Sequence, residues 1–458
     1  MDAGPHLGCL NGRWRRWHTA EGDRIATQGV SVLATYKATP PTFDDEQGVG
    51  EMNELYGSAD AVQREAARWF KQAWDPDMRL GEWWTALAES GWGYPTWPSE
   101  WFGKGLPTAV ARIVVEERRK AGALGPPNGV ATTLAAPTII KHGSDEQRMN
   151  YLPDIVSGRT VWCQLFSEPE AGSDLASVRT VARRDGDRWI VTGQKVWTSG
   201  AQIADFGILL ARTNSTAERH RGLSYFVIDM RQEAVTSQPI KEMTGDAAFN
   251  AVFLDEAVVP ADGLIGDIDD GWRVALTTLT SERTTMGAGS MTGSGGMTKL
   301  SIGRPNLSER VGDLAEQAGR RPEPSRHGGG NGDLLVSLAR RYGKADDVVI
   351  RQQIAHIYSM LRIAQFTSLR ARAKLETQGS TGPETSIGKL AASRLARSIR
   401  ETAMAIVGMD GTTTTSTDQE LLRVERLVLS SPLWSIAGGT DEVQKNIIGE
   451  RVLGLPKG

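Results

Sequence analysis

Two short stretches of this sequence combine residue types suited to holding a flat ligand that carries anionic or carbonyl groups. FSEPEAGSD (166–174) ends a strand-like run and supplies a tight turn of small residues and hydroxyls. Backbone N–H groups in such a turn, with Ser167 and Ser173, can hold anionic or carbonyl oxygens. A polar loop at a sheet edge reads equally well from that motif alone. GQKVWTSG (193–200) sets Trp197 between a valine and two hydroxyls. There the indole offers a flat face to a planar ring and Ser199 a hydrogen bond to it; a core tryptophan is the competing reading. GAGSMTGSGG (287–296) follows a helix-like segment rather than a strand, and its glycine spacing is wrong for a dinucleotide fingerprint. The six histidines (6, 18, 142, 220, 327, 356) show no ligand spacing, so no metal site is expected. There is no G-x-S-x-G nucleophile elbow.

Composition narrows the partners. The chain has 458 residues, with Lys plus Arg at 52 and Asp plus Glu at 55, a formal net charge of −3. That balance argues against a nucleic-acid binder working through a basic surface. Hydrophobic residues at 40% and charged residues at 23% describe a globular chain large enough for a substantial core. With only Cys9 and Cys163, a disulfide scaffold is excluded and a reducing compartment is implied. The longest apolar run, around Ile203–Ala211, is interrupted nearby by Asp205, and the N-terminus lacks a signal-peptide core, so a cytoplasmic protein without membrane insertion is expected.

The elements that must position the two motifs fall into three blocks. Residues 1–51 have no helical or strand period and read as a disordered extension. From 52 to 158 the period is helical. In 59–74, Ala59, Val62, Ala66, Trp69, Phe70 and Ala73 share one face, and 108–123 and 132–143 continue the pattern, the last broken at Pro137. Between 159 and 270 come strand-like runs at 161–166, 189–193, 206–211, 223–228 and 251–254, with Asp185-Gly186 signalling a type I′ hairpin. Such spacing indicates an antiparallel sandwich or barrel. From 271 the helical period returns, in stripes Ile350, Ile354, Ile357, Leu361, Ala364 and Ile387, Leu390, Leu395, Ile399, Ile406. The final helix is opened by Thr440 or Asp441. A Gly/Ser- and Pro/Arg-rich stretch at about 287–333 reads as a flexible insertion.

Taken together, FSEPEAGSD, KVWTSG, FNAVFLDEAVVP (249–260) and IAGGTDEVQKNIIGERVLGLP (436–456), in this order, resemble the acyl-CoA dehydrogenase family over about residues 52–286 and 334–458. The resemblance implies an α+β multidomain fold: a helical N-terminal domain, a central antiparallel β-barrel and a C-terminal helical bundle. It implies FAD as cofactor, an acyl-CoA substrate, and an electron-transfer flavoprotein as electron acceptor. On the matching positions, Gln164, Leu165, Phe166 and Ser167, with Trp197, Thr198 and Ser199, would contact the isoalloxazine. Ser173 would meet the acyl-CoA. Gln352, Gly408, Thr440 and Asp441 would serve a neighbouring subunit's FAD site.

The same resemblance bears on the catalytic base. Many members carry a glutamate immediately before the Gly-Thr that opens the last helix; here that position is Gly438, in Ala437-Gly438-Gly439-Thr440. Other members place the base on the first helix of the C-terminal domain, just before an arginine, and LTSERTTMG (279–287) puts Glu282 and Arg283 there. Glu282 is therefore the expected base, with Arg283 and Gly439 beside the substrate and the Gly438 N–H available to the thioester carbonyl. Three positions depart from the pattern: Glu170 replaces a glycine, the arginine expected before Gly343-Lys344 is displaced, with Arg340 and Arg341 as stand-ins, and the insertion follows the base-bearing helix. The AGGT and RQQIA variants resemble steroid- and lipid-degrading relatives that form two-gene heterotetramers. A homotetramer and a heterotetramer are thus both open, as is a non-catalytic or half-site partner role.

Overall fold

The computed structural model describes residues 58–289, 303–319, 330–378, 384–413 and 417–456, so the reading of 1–51 lies outside the described residues. Helix α1 (Ala59–Ala73) is N-capped by the Ser58 hydroxyl, which accepts from the Ala61 N–H at 3.2 Å, and its Val62, Ala66 and Phe70 stripe is buried. That stripe packs with Trp83 and Leu87 of α2 (Leu80–Glu89) and with Val110 and Val114 of α3 (Thr108–Lys120). Pro137 does not break the next helix. It lies in the first turn of α4 (Ala136–His142), where its missing N–H costs nothing, and a π-turn (Ala131–Ala135) runs directly into it. Helix α5 (Asp145–Val156) starts at a reciprocal Ser144–Gln147 capping box.

The middle block contributes β1 (Trp162–Leu165), β2 (Val181–Asp185), β3 (Arg188–Ser199), β4 (Phe206–Arg212), β5 (Leu223–Asp229), β6 (Val235–Ile240), β7 (Phe249–Pro260) and β8 (Leu264–Ile265). The strand order is β6-β7-β3-β2-β4-β5-β8, with β1 parallel to β4 off that path. The β2–β4 step is a single parallel bridge, Val181 to Arg212, so the sheet is open and sandwich-like rather than a closed, wholly antiparallel barrel. Side chains from its two halves, including Cys163, Leu165, Leu209 and Phe226 against Ala182, Val191, Val252 and Leu254, meet in one core. The β2–β3 hairpin has Gly186 at φ +62° and Asp187 outside the positive-φ residues, so the turn has one left-handed position, not the two of a type I′ turn.

The C-terminal block is helical: α6 (Gly271–Gly289), α7 (Val311–Gly319), α8 (Gly330–Arg341), α9 (Val348–Gln378), α10 (Glu384–Val407), α11 (Gln419–Ser430) and α12 (Asp441–Arg451). Ile350, Ile357, Leu361, Leu395, Ile399 and Ile406 form its core, as their stripes imply. Within the 287–333 stretch expected to be a flexible insertion, the described residues are packed against the rest of the chain. Residues 303–319 form a clasp, an irregular segment leading into α7: Val311 and Leu314 of α7 are buried among the N-terminal helices, and the Leu80 and Gly81 N–H groups donate to Glu309 and Leu307 carbonyls. Arg304 pairs with Asp205 at the foot of β4. Its apolar positions are sparse enough that composition hides them.

Candidate active site

Strand alternation decides which face of β1 carries chemistry. Cys163 and Leu165 point into the sheet core, while Trp162 and Phe166 point to the core shared with the helices. Gln164 lies on that second face, between two aromatic residues. Helix α6 packs there through Gly271, Val274, Ala275 and Thr278, and one turn on from Thr278 the same stripe reaches Glu282. The two patterns meet where Gln164 Nε2 donates to Glu282 Oε2 at 3.4 Å, across 118 residues of sequence. Both side chains are half-buried. Arg283 continues the α6 backbone; its side chain lies outside the described residues.

The two motifs are bound to each other by a lysine. Lys195 is fully buried, and its three N–H donors go to the Glu168 carboxylate (2.9 Å), the Phe166 carbonyl (3.0 Å) and the Leu210 carbonyl (2.8 Å). Glu168 also accepts from the Arg179 and Thr180 N–H groups at 2.7 and 2.9 Å. Burial pushes the Lys195 ammonium down to about 8, and the Glu168 charge opposes that drop. Burial would raise the Glu168 carboxyl, but the Lys195 charge and the donors around it hold it below the ordinary glutamate value. The Val196 N–H reaches the Ser167 carbonyl at 2.9 Å, fixing the turn against β3.

Between Lys195 and Thr198 the β3–β7 register slips: Lys195 faces Val252 and Thr198 faces Asn250, so Val196 and Trp197 lie opposite Ala251 alone. The bulge places Trp197 in the left-handed region at φ +60° and leaves its indole 59% exposed, with Phe249 meeting it edge-on at 6.0 Å. Trp197 is thus not a core tryptophan. A large ring held outward in a strained backbone conformation is the kind of outlier that marks a ligand surface. Thr198 is buried, its carbonyl accepting from Asn250 Nδ2 at 3.0 Å, and Ser199 is half-buried beside it. Lys195 and the Val196 N–H therefore tie the Gln164–Ser167 segment to the Trp197–Ser199 segment, with Leu165, Phe166 and Thr198 buried and Gln164, Ser167, Trp197 and Ser199 the members with exposed or half-buried side chains. Ser173 lies apart from it on an exposed turn whose Asp174 pairs with Arg219. Glu170 is exposed and paired with Arg179 at 2.9 Å, so the charge at this departure is balanced within the loop.

The C-terminal turn is a second assembly. Gly438 and Gly439 adopt φ +67° and +92°, a pair of left-handed positions that side chains rarely take. Gln444 Nε2 donates to both carbonyls, at 3.1 and 3.4 Å. Thr440 is the N-cap of α12, accepting from the Val443 N–H at 3.2 Å. Asp441 turns inward: its Oδ2 accepts from Ser393 at 3.0 Å and Arg397 at 2.9 Å. Burial would raise its carboxyl, but those hydrogen bonds and the nearby cations hold it below the ordinary aspartate value. Its carboxylate braces α12 against α10 rather than facing outward. Gln352 and Gly408 are exposed, on α9 and at the end of α10. Arg341 is engaged by Asp418 and Glu420 of the α11 segment, and both Arg340 and Arg341 are exposed. Among the described residues no group of three or more His, Cys, Asp or Glu side chains is gathered as a metal site, and no helix is long and apolar enough to cross a membrane.

Three family models match in order: the acyl-CoA dehydrogenase N-terminal domain over residues 57–159, the middle domain over 163–256 and the C-terminal domain over 335–453. The chain belongs to the acyl-CoA dehydrogenase family. It is an oxidoreductase whose cofactor is FAD, and the outward, left-handed Trp197 offers the flat face that a ring system needs. Acyl-CoA dehydrogenase IpdE1 of Mycobacterium tuberculosis is 38% identical over 82% of this chain and 88% of its own length. IpdE1 of Mycolicibacterium smegmatis is 36% identical over 81% and 87%. Among solved structures, the Tcur3481-Tcur3483 steroid ACAD shares the fold at TM-score 0.63 and 24% identity, over 88% of this chain and 98% of that one. The ChsE4-ChsE5 complex from Mycobacterium tuberculosis aligns at TM-score 0.57 and 26% identity, over 87% and 98%. Glu282 and the clasp both fall between the middle and C-terminal matches.

Sequence reasoning missed Lys195, Glu168, Asn250, Ser393 and Arg397. The signal was present in part, since Glu168 and Lys195 sit inside the two quoted motifs, but a lysine in a strand reads as a solvent-facing residue.

Proposed function

We propose that this acyl-CoA dehydrogenase forms a trans-2-enoyl-CoA, with Glu282 as the base that removes the α-proton of the thioester. The observation that carries this reading is the Gln164–Glu282 contact at 3.4 Å, which joins the motif-bearing strand to the only carboxylate the family pattern leaves for the task. Glu282 accepts the α-proton; the Gly438 N–H, in a turn held open by two left-handed glycines, donates to the thioester carbonyl and stabilises developing enolate charge. FAD, when bound, would supply the acceptor for the β-hydride at its N5. Gln164 orients the carboxylate, and Trp197, Thr198 and Ser199 provide the face and edge for the ring. Ser173, Arg283 and Gly439 contact the acyl-CoA. Gln352, Gly408, Thr440 and Asp441 belong to the C-terminal surface that completes a neighbouring subunit's site, Asp441 by bracing it.

An electron-transfer flavoprotein receives the electrons. The exposed Val348, Val349, Ile363, Phe366 and Leu369 along α9 favour a tetramer, in which a homologous second chain is as suitable as another copy. Two solved fold neighbours are named as pairs of chains, which supports the heteromeric form, and one is named a steroid ACAD, which supports a bulky steroid-derived acyl group. The test is anaerobic titration of the FAD-loaded protein with butyryl-CoA, palmitoyl-CoA and a steroid-side-chain acyl-CoA. Bleaching of the flavin with release of an enoyl-CoA is expected, most complete with the steroid ester. A flavin that stays oxidised with all three esters, with and without a homologous partner chain, contradicts the proposal.

A further inference from the structure

Three hydroxyls meet in the dry core one helical turn before Glu282. Thr278 of α6, Thr138 of α4 and Tyr225 of β5 are all fully buried. Thr278 Oγ1 lies 2.8 Å from Thr138 Oγ1 and 2.9 Å from the Tyr225 hydroxyl, and Thr138 Oγ1 lies 2.8 Å from the Leu134 carbonyl in the π-turn. The carbonyl can only accept, so the single Thr138 proton goes to it. Thr138 then accepts from Thr278, and Thr278 accepts from Tyr225. The hydroxyls thus form one directed chain, Tyr225 to Thr278 to Thr138 to Leu134, with every proton placed. It ties α6 to the sheet on one side and to α4 on the other.

The position of this chain makes it more than core filling. On the inward stripe of α6, Gly271, Val274 and Ala275 are small or apolar, and Thr278 is the last fully buried residue before Glu282. Apolar packing resists separation of a helix from its neighbours but resists rotation about its axis weakly. A directed hydrogen-bond chain fixes rotation. A carboxylate at the tip of a side chain, about 6 Å from the helix axis, moves about 1 Å for a 10° turn. Such a displacement matters to proton transfer and hardly at all to binding of a large ester.

We propose that Thr278 is a positioning residue for the α-proton abstraction, setting the rotation of α6 that aims Glu282, with Tyr225 and Thr138 as its anchors. The inference rests on Glu282 being the base.

The test uses FAD-loaded full-length protein and whichever of butyryl-CoA, palmitoyl-CoA and a steroid-side-chain acyl-CoA bleaches the wild-type flavin fastest. Thr278→Val keeps the shape and removes the hydroxyl. The expected result is bleaching slowed about tenfold at saturating ester, with the half-saturating concentration within about twofold of wild type. Thr278→Ser, which restores the hydroxyl, returns the rate to within about twofold. Should Thr278→Val fail to load FAD, Tyr225→Phe reads the same chain by removing its first donor, with about threefold slowing expected. A wild-type rate in Thr278→Val or, where that variant fails to load, in Tyr225→Phe overturns the proposal, as does a Thr278→Ser rate as low as that of Thr278→Val. Glu282→Gln measured alongside separates the two layers. Unimpaired bleaching there removes the base assignment itself, whereas lost bleaching there beside a wild-type rate in Thr278→Val removes only the role of Thr278.

Discussion

The motif surface of the sheet and the C-terminal turn at 437–441 are built on the same plan and present opposite things. Each holds an irregular backbone in place with an inward ion pair: Lys195 with Glu168 under the first, Arg397 with Asp441 under the second. Each contains left-handed positions, Trp197 in one and Gly438 with Gly439 in the other. The sheet surface then projects a large ring and lies beside a half-buried carboxylate, while the turn projects only backbone. The difference teaches that the buried charges of these two regions are braces. The group proposed to do proton chemistry sits instead at a half-buried helix position, where it can meet a ligand without paying full desolvation.

The brace comparison breaks or sharpens under mutation. Lys195→Met strips a fully buried cation from Glu168 and leaves an uncompensated carboxylate, so a loss of about 3–5 kcal/mol is expected, with loss of FAD from the purified protein. Arg397→Met removes a partly exposed partner and should cost clearly less, about 1–3 kcal/mol, with FAD retained. Chemical denaturation with flavin absorbance measures both, and equal costs would dissolve the distinction. Gly438→Glu comes next. It restores the carboxylate that other members carry there, but at φ +67° it should cost about 1–2 kcal/mol and fail to rescue Glu282→Gln. Rescue of turnover would show that turn and helix are interchangeable sources of the base.

The smallest effect is in acid. Glu168 and Asp441 are both held below their ordinary values, 4.5 and 3.8, so folding gains their contribution fully above those values and loses it as pH falls through the lowered ones. Melting temperature should therefore decline as pH drops below about 4.5, and Asp441→Asn should flatten part of that decline. A slope unchanged by Asp441→Asn would show that its carboxylate ionises alike in folded and unfolded chains.

Much of this was legible from residues. The apolar runs became β1, β3, β4, β5 and β7, the stripes at 350–364 and 387–406 became α9 and α10, and Thr440 is the N-cap of the last helix. Strands β2 and β6 were not visible, because VARRD exposes four of its five side chains, VTSQPI fully buries none, and neither carries an apolar alternation. The clasp was hidden in a Gly-rich context, and its few apolar residues acquire meaning only against the N-terminal helices. Of the site, the pairing of Gln164 with Glu282 follows from period 2 on β1 and 3.6 on α6, yet neither period says that these two faces touch. Lys195 was illegible for the opposite reason: sequence alone gives no sign of three acceptors converging on a buried ammonium.

The central claim is that Glu282 takes the proton. Single-turnover bleaching of the FAD-loaded protein by its preferred acyl-CoA, compared between wild type and Glu282→Gln, tests it most directly. The account predicts a rate lower by about 10²–10⁴-fold in Glu282→Gln with the ester still bound. A Glu282→Gln protein that bleaches at the wild-type rate would contradict it.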